Sequence, residues 1–152
     1  MYWTRNTGEI MRAQMDGSDA VQVVAGLNFP FGIAIDYNAS RMFWTESQPD
    51  QICSSNLDGR DIHTIVTLPA SSVPIGIVVH NNLIYWGNYG AKSLQRSSKS
   101  GQDIETVFTG SHTITQLTTT YRNLVTNRLN QCEGQNCANI CVLTTNAFRC
   151  IP

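Results

Sequence analysis

MYWTRNTGEIMRAQMDG (Met1–Gly17) returns as MFWTESQPDQICSSNLDG at Met42–Gly59, and again, more worn, as IYWGNYGAKSLQRSSKSG at Ile84–Gly101. Trp3, Trp44 and Trp86 stand 41 and 42 residues apart, while Ile10, Ile52 and Leu94 keep 42, as do Gly17, Gly59 and Gly101. FPFGIAID (Phe29–Asp36) recurs 44 residues later as VPIGIVVH (Val73–His80). So many positions in one register exclude chance. A period near 42 suits a four-stranded propeller blade, and helical repeats of similar length also exist.

The pattern inside the unit decides between them. Pro30–Asp36 and Pro74–His80 are apolar runs opened by proline, which a strand tolerates at its first residue. Met42–Thr45 and Leu83–Trp86 are aromatic-rich, while Ile10–Met15 and Ile52–Leu57 alternate apolar and polar residues. Asp-Gly or Ser-Gly then offers a tight turn, followed by a fourth run at Val21–Val24, Ile62–Val66 and Ile104–Phe108. No window repeats apolar residues at helical spacing for three turns. The fold class is therefore all-β, a meander of about four strands per unit, with repeats near 1–41, 42–83 and 84–126.

Charged residues are 14 %, the net charge is −1 and hydrophobic residues are 41 %, which describes a folded chain without a basic stripe for nucleic acid. The longest apolar run, Phe29–Ile35, is far short of a membrane span. MYWTRNTGEI has neither the charged nor the apolar region of a signal peptide. Cysteines, however, crowd the tail: one stands in residues 1–131 and four follow in CEGQNCANICVLTTNAFRC, spaced C-x4-C-x3-C-x8-C. No histidine follows His112, so a metal site is disfavoured and disulfides in an oxidising compartment are expected. Oxidising surroundings without a signal peptide suggest a piece of a secreted protein.

YWTR, FWTE and YWGN, each followed by the apolar position and (L/M)DG or its remnant, resemble the YWTD motif of the low-density lipoprotein receptor class B repeat. The wording is nearest to lipoprotein-receptor-related and vitellogenin-receptor types. The tail, residues 127–152, resembles a truncated epidermal-growth-factor-like module. The resemblance implies about three blades of a six-bladed propeller, with Pro30–Asp36 and Pro74–His80 lining the axis and Thr113–Tyr121 as a lone closing strand. It implies disulfides Cys132–Cys141 and Cys137–Cys150, with Cys53 unpaired. The motif's aspartate is replaced by Arg5, Glu46 and Asn88, which puts its bonds between neighbouring blades in doubt.

The repeat-motif aromatics Tyr2, Trp3, Phe43, Trp44, Tyr85 and Trp86 read first as packing between blades, because such rings bury large areas. Asn38 heads the sequon Asn38-Ala39-Ser40 on a polar loop and is a candidate glycosylation site. His80 replaces the aspartate that ends the inner strand, which makes it the candidate pH sensor, and the resemblance implies acid-triggered release. Two readings stand for Cys53: an exposed reactive thiol, from alternation after Ile52, or a buried inert one.

No catalytic constellation is present, and a calcium-dependent hydrolase would need more axial carboxylates than Asp36 alone. No cofactor or metal is expected. The resemblance implies an extracellular receptor fragment, on the lumenal or outer side of a membrane-anchored parent. It would bind a protein ligand or neighbouring receptor modules through Phe29, Glu46, Asn88 and the loops around them. The alternatives are a structural spacer and an inactive truncated product. Unclosed propeller edges predict self-association, as a head-to-tail dimer or an aggregate.

Overall fold

β-Branched and aromatic residues punctuated by glycine turns give strands throughout the described part of the chain. The computed structural model describes residues 1–118 and the backbone of Ile140–Leu143 and Phe148–Ile151. The first sheet holds β1 (Tyr2–Arg5), β2 (Glu9–Arg12) and β3 (Val21–Val24). The second holds β4 (Pro30–Asp36), β5 (Arg41–Ser47), β6 (Asp50–Asn56) and β7 (His63–Thr67), and the third β8 (Pro74–His80), β9 (Leu83–Asn88), β10 (Ser93–Ser98) and β11 (Glu105–Thr109). Each is an antiparallel meander in chain order, and the described residues contain no helix. The all-β partial propeller expected from the repeat is the observed architecture.

The boundaries of β3, β4 and β8 fall where the sequence puts them. The second strand of the first sheet ends before the Met15 of the expected Ile10–Met15: Gln14 N donates to Ser18 O and Gly17 N to Gln14 O, which turns the chain there. Gly17, Gly59 and Gly101 have φ of 85°, 82° and 81°, as their tight turns require.

The sheets stack face to face, and the core lies in the two junctions. Ile10 and Val24 of the first sheet pack with Met42, Trp44 and Cys53 of the second; Tyr2 joins them from the edge. Phe43, Ile52 and Val66 of the second pack with Ile77, Ile84 and Trp86 of the third. The second sheet is thus covered on both faces, which settles Cys53. Alternation sends its side chain away from Ile52, but into the other junction, and only 3 % of the residue is exposed. The exposed, reactive reading is therefore wrong. Burial pushes the thiol up to about 12, helped by the nearby Glu46 carboxylate, so Cys53 is inert at neutral pH.

The expected closing strand Thr113–Tyr121 is not hydrogen-bonded into a sheet over its described residues, 113–118. It nonetheless takes an inner-strand position. A Cβ on Gly32 of β4 would lie 3.0 Å from Ile77 N of β8, and one on Gly76 of β8 would lie 3.0 Å from Leu117 N. Among the described residues of the tail, β12 (Ile140–Leu143) pairs with β13 (Phe148–Ile151), with Cys141 and Cys150 as backbone partners. Cys132, Cys137 and the side chains that would test the growth-factor-like module and its disulfides lie outside the described residues.

Candidate functional site

The strand 2→3 turns and the connections between sheets emerge at one end of the stack. There the backbone is held in unusual conformations. Phe29 and Val73, each just before the proline that opens an inner strand, both have φ of 49°, a costly setting for an aromatic or β-branched residue. Matching amides from the next strand pin them, Ser47 N to Phe29 O at 3.3 Å and Tyr89 N to Val73 O at 3.0 Å.

Buried carboxylates complete the clamp. Glu46 accepts Asn28 N at 3.0 Å, Trp44 Nε1 at 3.0 Å and Gln51 Nε2 at 3.4 Å. One junction further on, Asp50 accepts Ser72 N at 2.9 Å and Val73 N at 3.2 Å. Of the three positions where the motif's aspartate is replaced, Glu46 alone holds a loop amide; Arg5 pairs with Glu9, Asn88 bonds within its own sheet, and Asp50 holds the loop ahead of the third sheet instead. Threonines add a second tie: Thr4 Oγ1 donates to Phe31 O (2.6 Å) and Thr45 Oγ1 to Ile75 O (2.9 Å), each reaching the inner strand of the next sheet.

This inward use of polar side chains revises the expected ligand face. Glu46 and Asn88 are only 4 % and 2 % exposed, because their polar atoms turn into the sheet stack. Phe29 does face solvent, 52 % exposed, and Phe31 and Tyr89 join it at the same end. Tyr89 lies in the loop after Asn88 that the sequence reading put at this end, whereas Phe31 was missed although FPF stands at a loop-to-strand junction. Below them an open groove of about 300 Å³ runs between the inner strands, lined by Gly32, Ile75, Gly76 and Gln116 among others. This end therefore presents three exposed aromatic side chains beside loops held by buried carboxylates.

The motif aromatics are not part of that surface. Phe43, Trp44 and Trp86 are fully buried, while Tyr2, Trp3 and Tyr85 are half-buried. Tyr2 OH donates to Leu57 O across the first junction at 3.0 Å. At the opposite end of the stack, Asn38 sits exposed in the turn joining β4 and β5. There the Asp36 carboxylate, closing β4, pairs with Lys99 of the third sheet. Burial opposes ionisation of Asp36, but Lys99 and the amides of Ala39 and Asn38 outweigh it and hold the carboxyl below its usual value. His80 occupies the matching position at the end of β8, half-buried. Among the described residues no group of three His, Cys, Asp or Glu stands where a metal ion could be held, and no helix is long and apolar enough to cross a membrane.

Stacked meanders of three and four strands, tied by clamped loops, define a partial β-propeller of the YWTD kind. The likeness to the low-density lipoprotein receptor family holds over nearly the whole chain. It is 28 % identical over 144 residues to low-density lipoprotein receptor-related protein 5 of Mus musculus, covering 93 % of this chain and 9 % of the relative. It is 28 % identical over 148 residues to the vitellogenin receptor Yl of Drosophila melanogaster, covering 94 % and 7 %. The chain thus spans under a tenth of these relatives' length. No protein-family profile matches it. Among solved structures, a chain of the nidogen/laminin complex superposes with a TM-score of 0.67 at 25 % identity, covering 74 % of this chain and 45 % of that one. A gluconolactonase from Xanthomonas campestris (TM-score 0.61, 17 % identity, 72 % of this chain and 37 % of that one) shares the fold alone.

Proposed function

We propose that this chain is part of an extracellular receptor ectodomain that binds a protein ligand through the loop end carrying Phe29, Phe31 and Tyr89. One observation carries the reading. Three large aromatic side chains stand exposed on loops and strand ends that buried carboxylates and backbone bonds hold rigid. Exposed aromatics on a preorganised surface are the usual energetic anchors of protein recognition. The relatives' names, a low-density lipoprotein receptor-related protein and a vitellogenin receptor, point the same way, and the structural neighbour is a chain of a nidogen/laminin complex. The propeller neighbours that are enzymes share only the fold, so we read the chain as a binding module without catalytic activity.

Immobilised chain presented to vitellogenin and to laminin in turn tests this reading. Saturable binding to either is expected, weakened roughly tenfold or more by Phe29→Ala with Tyr89→Ala. Binding that the double substitution leaves unchanged would move the site elsewhere. No binding to either probe would favour the spacer reading. Release at pH 5.5 that His80→Asn abolishes would extend the proposal to a pH sensor.

A further inference from the structure

Asn38 is the only asparagine of the sequence followed two residues later by serine or threonine, and Ala39 keeps the stretch free of the proline that would block it. The fold puts it in a four-residue turn, residues 37–40, between β4 and β5, closed by the pair Asp36 and Arg41. The matching turn of the third sheet has only Asn81 and Asn82, closed by His80 and Leu83. The sequence carries the same difference, since the inner strands repeat after 44 residues and the tryptophans that follow them after 42. The sequon thus occupies the longer of the two turns, where two residues are added.

All four residues of that turn are exposed, and among the described residues nothing hydrogen-bonds the side-chain amide of Asn38. Other asparagines are already engaged: Asn56 accepts from Arg41, and the buried Asn88 donates to Ser93 and Gln95. The turn also stands on a fixed base. The buried Asp36 carboxylate accepts Ala39 N at 3.1 Å and pairs with Lys99 of the third sheet, while Ser40 N donates to Tyr37 O at 3.3 Å. Ser40, with φ of 53°, bends the chain back into β5. A group attached at Asn38 therefore enters solvent without displacing a strand or a core residue. Its neighbour Tyr37, 71 % exposed, is an aromatic side chain that such a group would cover.

Resting on the extracellular reading above, we infer that Asn38 carries an N-linked oligosaccharide. The co-reactant is a lipid-pyrophosphate-linked oligosaccharide, brought by the transferase of the secretory pathway. Asn38 Nδ2 attacks the anomeric carbon of the sugar: a C–N bond forms, the C–O bond to pyrophosphate breaks, and the lipid pyrophosphate leaves with the electron pair. One amide proton passes to a base of the transferase, and nothing is oxidised or reduced. The product is a bulky, solubilising group. It stands at the end of the stack opposite Phe29, Phe31 and Tyr89, and so shields one end while leaving the aromatic end open for a ligand.

Translation of the 152-residue chain behind a heterologous leader into endoplasmic-reticulum microsomes tests the site. The leader delivers the chain to the lumen whatever its natural compartment. A missing sugar therefore overturns this site and leaves the receptor reading to the binding experiment. The expected result is one glycosidase-sensitive increment in mass, lost in Asn38→Gln and in Ser40→Ala but kept in Ser40→Thr. A chain of unmodified mass, or an increment that survives Asn38→Gln, would overturn the inference. Transfer acts on the emerging chain, so the exposed placement needs a second measurement. After mild detergent lysis of the microsomes, a glycan-releasing amidase should remove the sugar as fast without denaturant as with it. Release that requires denaturation would sink the assignment to an open turn.

Discussion

The two junctions bury nearly the same apolar positions and are fastened by different polar groups. Between the first and second sheets, Tyr2 OH reaches Leu57 O at one end and Glu46 holds Asn28 N at the other. Between the second and third, phenylalanine (Phe43) replaces the tyrosine, the Asp36–Lys99 pair takes over its end, and Asp50 does the work of Glu46. Apolar burial is non-directional, so any large side chain in register serves it. A hydrogen bond needs its partner at a fixed distance, and a lost fastener has to be replaced by a group that happens to reach the same amide. At the two junctions the motif's aspartate is exchanged for Glu46 and Asn88, and Glu46 and Asp50 hold the loop amides there.

The largest effect is expected from removing the fastener with most partners. Glu46→Ala strips the acceptor from the buried Trp44 Nε1 and from Asn28 N, and should cost about 2–4 kcal/mol. Asn88→Ala, at the corresponding place in the third sheet, should cost about 1 kcal/mol, because Trp86 Nε1 has no hydrogen-bond partner to lose. Urea unfolding of both variants measures the difference, and equal losses would mean that Glu46 is no more a fastener than Asn88.

The second effect is pH-dependent. Lys99→Met leaves the Asp36 carboxylate buried with only its two amide donors, at a cost of about 2 kcal/mol near neutrality. The sign follows from the lowered carboxyl. Its stabilisation is complete above the ordinary carboxylate value and is lost as pH falls through the lower folded one. Wild type and variant should therefore converge in stability only as pH falls past the ordinary carboxylate value and through the lower folded one. A gap that persists into acid would assign the loss to packing of the lysine stem instead.

How much of this was legible in the sequence depends on how far apart the partners stand. The strands were readable because their signals are local: Pro30 and Pro74 announce β4 and β8, and Gly17, Gly59 and Gly101 announce turns. The burial of Trp44 and Trp86 in separate junctions followed from the size of their rings. What escaped were bonds between residues many positions apart, such as Asp50 with Ser72 and Val73, or Asp36 with Lys99, since no spacing rule encodes them. Glu46 and Asn88 were read as exposed because they end strands at a loop-rich end. Their side chains turned inward to buried donors that only the fold assembles.

The smallest effect is a gain, and it would make the two sheets alike. In the third sheet Trp86 Nε1 and Asn88 Oδ1 are both buried without a hydrogen-bond partner, while Asn88 Nδ2 donates to Ser93 Oγ and to Gln95 Oε1. Glu46 meets the equivalent indole with a chain one methylene longer. Asn88→Glu should therefore reach Trp86 Nε1. The neighbours can adapt: Ser93 can donate its hydroxyl, and Gln95 can turn its amide because Thr106 Oγ1, now its acceptor, can equally donate. Offset by the desolvation of a new carboxylate, the net gain should be about 1 kcal/mol, a rise of a few degrees in the unfolding midpoint. Asn88→Asp, too short for the indole and with Ser72 and Val73 already held by Asp50, should change the midpoint little. A larger gain from aspartate than from glutamate would show that the amides of that loop, and not the indole, are what the third sheet leaves unsatisfied.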